Sequence, residues 1–273
     1  MSIAGGFANV RERALRVGCE TMQLFSSNPR GWKVAALDSG DVAQFRADLA
    51  ASGVAPVFVH APYLPNLAAT RAGTAKRSVR AIVQQMERCH VLGVDYLVVH
   101  VGRARGAGEE RALAQVAANV NLILAAAPAG IKVLLENTAG MGSEVGYRFE
   151  QLAAIIERVE QRDRMGVVLD TAHAFEAGYE LRTKQGLDEV LREFDRLVGL
   201  GRLHLLHLND SRTDIGSCVD RHWHIGRGRI GLDGFRVIVN HPLLRSLPGI
   251  METPRKTPAD DRRNLKTVRS LVN

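Results

Sequence analysis

Imidazole and carboxylate side chains are the donors that hold zinc and similar divalent ions, and residues 207–224, HLNDSRTDIGSCVDRHWH, gather several of them in a short span. The stretch leaves an apolar run, LHLLHL at 203–208, with His207 near the run's end. After a long polar loop it then holds Asp220 and His222, two residues apart. In an extended segment, side chains two apart point to the same side, so this pair can grip one ion. Taken alone, a loop histidine is equally well explained by solvation. The metal reading gains force only if other segments send matching residues to the same place.

Short β-rich runs alternate with longer helical patterns along the whole chain. The runs that read as strands are SIAGG (2–6), TMQLF (21–25), VFVH (57–60), YLVVH (96–100), KVLLE (132–136), GVVLD (166–170), LHLLHL (203–208) and GIME (249–252). Helical stretches fall at 73–92, 109–127, 147–160, 185–198 and near 259–272. Eight strand-then-helix repeats without a low-complexity linker predict an α/β fold, a TIM (β/α)8 barrel forming a single domain over residues 1–273. An open doubly wound sheet is the alternative, but it would carry a glycine-rich phosphate loop after its first strand, and Gly5-Gly6 is too little for that.

How these strands finish is informative. His60, His100, Glu136, Asp170 and Glu252 are read as the last residues of their strands, and His207 as the last but one. The chain has only 9 His and 29 Asp+Glu in 273 residues, yet most expected strands end on or beside one. Strand C-termini of a barrel converge on one face, where active sites lie. So many carboxylates and imidazoles crowded together would suffer repulsion and desolvation unless cations joined them. A set of buried ion pairs would need Arg or Lys at the strand ends, and none is there. His173, three residues after Asp170, joins the set, which makes nine candidate ligands with Asp220 and His222.

Composition narrows the function classes. Hydrophobic content of 46% and charged content of 24% are those of an ordinary globular protein. No apolar run is long enough to span a membrane, and the first residues lack a secretory pattern, so a cytoplasmic location is expected. Cys19, Cys89 and Cys218 are odd in number, widely spaced and without a CxxC. That suits a reducing interior and provides no thiolate cage, so any metal must use His, Asp and Glu. A net charge of +7 fits a polyanionic partner as well as it fits ordinary solvated arginines.

Several long segments, in order, resemble the signatures of the endonuclease IV family: LLENTAGMGSEVG (134–146), VLDTAHAFEAGYEL (168–181), LLHLNDS (205–211), VDRHWHIGRGRIG (219–231) and IMETP (250–254). HAPYLPNL (60–67) and LFSSNPRGW (24–32) resemble that family's DNA-contacting loops. The likeness covers essentially the whole chain. It implies a TIM barrel that works in DNA base-excision repair as a zinc-dependent endonuclease at apurinic/apyrimidinic (AP) sites, with three Zn2+ per chain. By the resemblance His60, His100 and Glu136 hold one ion, and Glu136 bridges to a second held with Asp170, His207 and Glu252. His173, Asp220 and His222 hold the third. Glu136 would then be central to catalysis, and the implied product is a nick 5′ to the lesion with a 3′-hydroxyl and a 5′-deoxyribose phosphate. Three Zn2+ carry +6, the four carboxylates −4 and a metal-bound hydroxide −1, leaving +1 to meet one phosphodiester anion. Two segments depart from the family pattern: VGRARG follows His100 where Pro-Gly is expected, and Trp223-His224 follows the Asp220–His222 pair.

The partner expected from this likeness is double-stranded DNA containing AP sites, met by a monomer located with the nucleoid through its DNA. Tyr63 and Leu64 either wedge into the base stack or pack their loop onto the barrel rim. Arg30 is the matching candidate for the gap in the duplex, and Arg221, Arg227 and Arg229 are candidate phosphate contacts on an unusually long loop. Asn66, Asn137 and Asn209 are read as orienting ligands or loops. His204 faces the helices as a packing residue, His90 and His241 are surface or capping residues, and His224 is either a phosphate contact or solvated. Two competing functions share the scaffold. A sugar isomerase would need one or two ions and a closed pocket, with no use for a third ion site, and a non-catalytic damage binder would lack some ligands.

Overall fold

Parallel strands covered on both faces are continuous apolar runs rather than alternating ones, and VFVH, YLVVH, KVLLE and MGVVLD are buried along nearly their whole length. The computed structural model describes residues 1–273, which divide into two compact units: Met1–Leu135 with Ile155–Gly166, and Glu136–Ala154 with Val167–Asn273.

The first unit contains α1 (Ala8–Val17), β1 (Met22–Phe25), α2 (Ser39–Ser52), β2 (Val57–His60), α3 (Ala72–Leu92), β3 (Tyr96–His100), α4 (Glu109–Ala126) and all but the last residue of β4 (Lys132–Glu136). β1 pairs in parallel with β2, Phe25 opposite His60, and β2 with β3, His60 opposite Val98. At the start of β4 the Lys132 amide donates to the Asp95 carbonyl (2.8 Å). Leu24, Phe58, Val59, Met86, Cys89, Leu92 and Val98 are buried between strands and helices, and Phe7 meets Phe45 edge-on. Helix α3 stops where Gly93 takes up a left-handed φ of 70° and its amide caps the His90 carbonyl.

Residues 2–6, expected as the first strand, form a turn. Gly5 and Gly6 both adopt positive φ, which no strand tolerates. The Asp41 carboxylate then accepts the amides of Phe7 (2.7 Å) and Ala8 (2.8 Å), seating the start of α1. Seven of the eight expected strands therefore form.

The second unit takes up the chain at Glu136 and includes most of α5 (Phe149–Glu157), β5 (Met165–Asp170) from Val167, α6 (Thr171–Glu176), α7 (Lys184–Leu197), β6 (Leu203–His207), β7 (Asp210–Ser211), β8 (His222–Trp223), α8 (Gly231–Asn240), β9 (Gly249–Ile250) and α9 (Pro258–Leu271). β5 pairs in parallel with β6, Asp170 opposite His207, and β6 with β9, His207 opposite Ile250. β7 and β8 form a small antiparallel pair within the segment expected as an irregular loop. Phe149 stacks on Tyr179 and meets Phe194 edge-on in a core shared with Phe175, Leu187 and Leu205. Helix starts follow capping chemistry: Thr183 accepts the Gly186 amide, and Thr257 with Asp260 forms a capping box behind Pro258. No helix is long and apolar enough to cross a membrane.

Candidate metal centre

A strand is the stiffest place from which to aim a side chain, and here the aiming residues stand where strands stop. Glu136 ends β4, Asp170 ends β5 and His207 ends β6. Glu252 differs from expectation, because β9 closes at Ile250 and Glu252 lies two residues beyond it. Its position is set instead by Asn209, whose Oδ1 accepts the Glu252 amide at 2.7 Å. Nδ1 of His207 lies 3.1 Å from Glu136 Oε1, 3.4 Å from Glu252 Oε2 and 3.7 Å from Asp170 Oδ2. Burial opposes a charge on His207, but Glu252, Glu136 and Asp170 overcome it and raise its pKa to about 9. Three carboxylates around one imidazole demand more positive charge than a neutral ring supplies.

A second group forms one turn further on. Asp170 caps α6, its Oδ1 accepting the His173 amide (3.0 Å), and the helix carries the His173 ring back onto the strand end. The other oxygen of Asp170 accepts from Asn209 Nδ2 (2.7 Å) and faces His222 Nε2 at 3.5 Å. Asn137 pairs reciprocally with the Asp170 backbone, at 2.7 and 3.2 Å. Asn137 and Asn209 thus hold these candidate ligands in place.

The imidazoles carry the most direct information. Nδ1 of His173 is 2.9 Å from the Asn137 carbonyl, and Nδ1 of His222 is 3.2 Å from the Glu252 carbonyl. A carbonyl only accepts, so both Nδ1 atoms bear a proton and both Nε2 atoms are turned toward the site. Those two Nε2 atoms stand 3.1 Å apart, with Asp220 Oδ1 at 3.5 and 3.8 Å. Two ring nitrogens this close to each other and to a carboxylate call for a shared proton or a cation between them. On His173, burial lowers the pKa, but Asp170, Asp220 and Glu136 together raise it well above the usual imidazole value. Nitrogen and carboxylate donors with outward protons fixed by carbonyls are the donor set of a zinc site, and these residues fit such an ion.

In the first unit, His60 and His100 end β2 and β3 with ring centroids 5.1 Å apart. His60 Nδ1 lies 2.6 Å from the Ala61 carbonyl, the same tautomer-fixing contact. Beside them the Tyr63 ring lies 6.0 Å from His60, 6.2 Å from His100 and 5.4 Å from Phe25. Tyr63 is nevertheless 56% exposed and Leu64 37% exposed. The Tyr63 amide donates to the Pro29 carbonyl (3.0 Å), which ties this loop to the one bearing the exposed Arg30. Asn66 clamps the departing segment after His100, donating to the Arg103 carbonyl (2.9 Å) and accepting the Arg103 amide (2.8 Å). A Cβ on Gly102 would meet Asn66 Oδ1 at 2.2 Å, so this approach requires glycine.

Arg221, Arg227 and Arg229 are exposed. Arg221 Nη1 donates to the Asp220 carbonyl, and Arg229 pairs with Asp214 at the surface. The loop carrying Arg227 and Arg229 is fixed from below by Asp210, whose carboxylate accepts the amides of Gly228 (2.9 Å), Ile230 (3.0 Å) and Gly231 (3.4 Å). Burial raises the Asp210 pKa against these bonds. His224 Nδ1 contacts Asn264 Nδ2 at 3.1 Å, a structural partner. His90 is exposed on α3, and His241 caps the end of α8 while bonding Asp188 (2.9 Å). Asp210 and the buried Glu176 escaped the sequence reading, since a lone acid in a loop or short helix carries no sequence signal of burial.

Comparison with known proteins gives one picture. Residues 11–271 match the family model of xylose isomerase-like TIM barrels. A probable endonuclease 4 of Methanoculleus marisnigri is 47% identical over 100% of this chain and 97% of its own length. One of Chloroflexus aggregans is 45% identical over 100% of this chain and 96% of its own. The crystal structure of endonuclease IV from Thermus thermophilus superposes with a TM-score of 0.88 at 38% identity, covering 99% of this chain and 96% of that one. The fold expected from the strand–helix alternation, a TIM barrel, is the fold these matches share.

Proposed function

The chain belongs to the endonuclease IV family of xylose isomerase-like TIM barrels, and from that premise we propose that it is a metal-dependent DNA-repair endonuclease that hydrolyses the phosphodiester 5′ to AP sites in duplex DNA. The products are a 3′-hydroxyl and a 5′-deoxyribose phosphate. The observation that carries the reading is the convergence of His173 Nε2 and His222 Nε2, 3.1 Å apart, with the carboxylates of Asp170 and Asp220. A site of that kind has little use except to hold a cation.

In this reading three Zn2+ are held: one by His60, His100 and Glu136, one by Glu136, Asp170, His207 and Glu252, and one by His173, Asp220 and His222. When bound, the ions supply Lewis-acid charge for the phosphate and make a water acidic enough to ionise near neutral pH. The protein's part is positional. Glu136 would contribute to two of these sites, Asn137 and Asn209 keep Asp170 aimed, and the carbonyls of Asn137 and Glu252 keep the imidazole protons turned away. Exposed Tyr63 and Leu64 fill the stack opened when the abasic nucleotide is drawn toward the ligands, with Arg30 beside them. Arg221, Arg227 and Arg229 bind phosphates and set register without reading sequence. The protein acts as a monomer in the cytoplasm, at the nucleoid where its substrate lies.

The test uses a duplex carrying one tetrahydrofuran AP-site analogue, with and without chelator. A single nick on the 5′ side that disappears with chelator and returns with zinc is the expected result. An intact duplex under all conditions overturns the reading, and one tightly bound ion per chain together with ketose epimerisation would replace it with a sugar isomerase.

A further inference from the structure

Beneath the segment that carries Asp220 and His222 lies a carboxylate for which the reading above gives no use. Glu176 is the last residue of α6, three after His173, and is fully buried. One oxygen, Oε1, accepts three hydrogen bonds: from Ser211 Oγ (2.6 Å), from the Arg221 amide (3.1 Å) and from Thr213 Oγ1 (3.2 Å). The other, Oε2, is buried without a hydrogen-bond partner. The backbone of the same turn holds the same segment: the Glu176 carbonyl accepts the Cys218 amide (2.9 Å) and the Phe175 carbonyl accepts the Gly216 amide (3.1 Å).

These partners sit at the root of a hairpin. β7 and β8 pair Ser211 with His222, and the Arg212 amide donates to the Arg221 carbonyl (2.9 Å). Glu176 Oε1 therefore reaches β7 at Ser211 and the residue just before β8, Arg221. Arg221 lies between Asp220 and His222: its amide, held by Glu176, fixes the peptide plane after Asp220, and its carbonyl, held by the Arg212 amide, fixes the plane before His222. The third member of that group, His173, stands on α6 itself. One short helix thus presents one ligand directly and orients the other two through Glu176. A carboxylate buried with an unpartnered oxygen is unfavourable by itself, but an apolar side chain in its place would leave the Arg221 amide without its acceptor.

We infer that Glu176 is a positioning residue for the ion held by His173, Asp220 and His222. It locks the Asp220–His222 arm onto α6 before metal or DNA arrives. The inference rests on the ligand assignment proposed above but concerns the arm's order and metal affinity, not DNA cleavage.

The test compares Glu176→Ala and Glu176→Gln in the full chain. Metal-free protein is titrated with zinc without DNA, and amide exchange is followed across residues 212–223. Loss of a ligand's orienting partner typically weakens metal binding about 10- to 100-fold, and Glu176→Ala should show that loss for the last zinc alone, with faster exchange at Arg221. Glu176→Gln keeps a carbonyl oxygen for the same three donors and should stay near wild type in both measurements. Wild-type affinity for every zinc in Glu176→Ala overturns the inference. So does an equal loss in Glu176→Gln, or a uniform weakening of all zinc binding together with a lower Tm of the metal-free protein, which would mark a purely structural role. Failure of the endonuclease reading is visible separately, as wild-type protein that binds no zinc or nicks no AP-site duplex.

Discussion

Two of the loops that bear exposed side chains assigned to DNA are held by buried charges of opposite sign. In the first unit, the loop after β1 is tied down by Arg88 of α3. Its buried guanidinium donates to the Ser26 carbonyl and hydroxyl (3.0 and 3.1 Å) and to the Ala35 carbonyl (2.8 Å), while Gln85 accepts from Ser26 Oγ (2.6 Å). In the second unit, the segment from β7 to the start of α8 is tied down by two carboxylates, Asp210 and Glu176, which accept backbone amides. Both arrangements solve one problem, since loop backbone groups buried without a partner are costly. They differ in what stands nearby. Beside Asp170, Glu136 and Glu252, a buried guanidinium would compete with a metal ion for the same carboxylates, whereas a carboxylate that faces amides would not. The ligand-bearing region is therefore anchored by anions, and the loop with Arg30 by a cation.

The largest effect should come from the charge that the second unit devotes to metal. Glu136→Gln keeps the shape and removes the charge, and turnover at saturating DNA should fall by at least ~100-fold. Near-normal nicking by this variant would remove Glu136 from its bridging role and blur the contrast between the two regions.

Next in size is the double variant Tyr63→Ala/Leu64→Ala in the first unit. Unstacking a base step costs a few kcal/mol, part of which inserted side chains recover, so cleavage of AP-site duplex should fall roughly 10- to 100-fold with zinc content unchanged. A single-stranded AP oligonucleotide has no stack to open and should lose much less. Equal losses on both substrates would mean that the two residues only pack their loop.

Smaller effects test the anchors themselves. Arg88→Met strands the Ser26 and Ala35 carbonyls and should lower stability by about 1–3 kcal/mol in denaturant unfolding, while bound zinc stays constant. A drop in zinc content would show that the cationic anchor serves the ligands after all. The smallest effect is expected for Asp210→Asn, which leaves one oxygen to accept amides but turns an NH2 group toward the others. The loop bearing Arg227 and Arg229 should loosen, weakening duplex binding and reducing its salt dependence by up to about two phosphate contacts. An unchanged salt slope would remove those arginines from the interface.

The amino-acid sequence by itself marked the candidate ligands and most of the strands that carry them. Both signals are local: apolar runs such as YLVVH and KVLLE can only be covered strands, and histidine or acid at their ends is rare enough to notice. It misjudged residues 2–6, where two glycines fit a strand's end as readily as a turn and only the carboxylate of Asp41, far along the chain, selects the turn. It placed Glu252 at a strand end, whereas the strand closes two residues earlier and Asn209 sets its position. Tertiary structure alone decided which ring nitrogens meet a carbonyl and so carry a proton, because the carbonyls of Asn137 and Glu252 come from other segments. It alone turned Arg88, Asp210 and Glu176 from ordinary charged residues into buried anchors. A charge at a helical or loop position reads as solvated until distant chain folds over it, and burial is a property of that fold rather than of the residue.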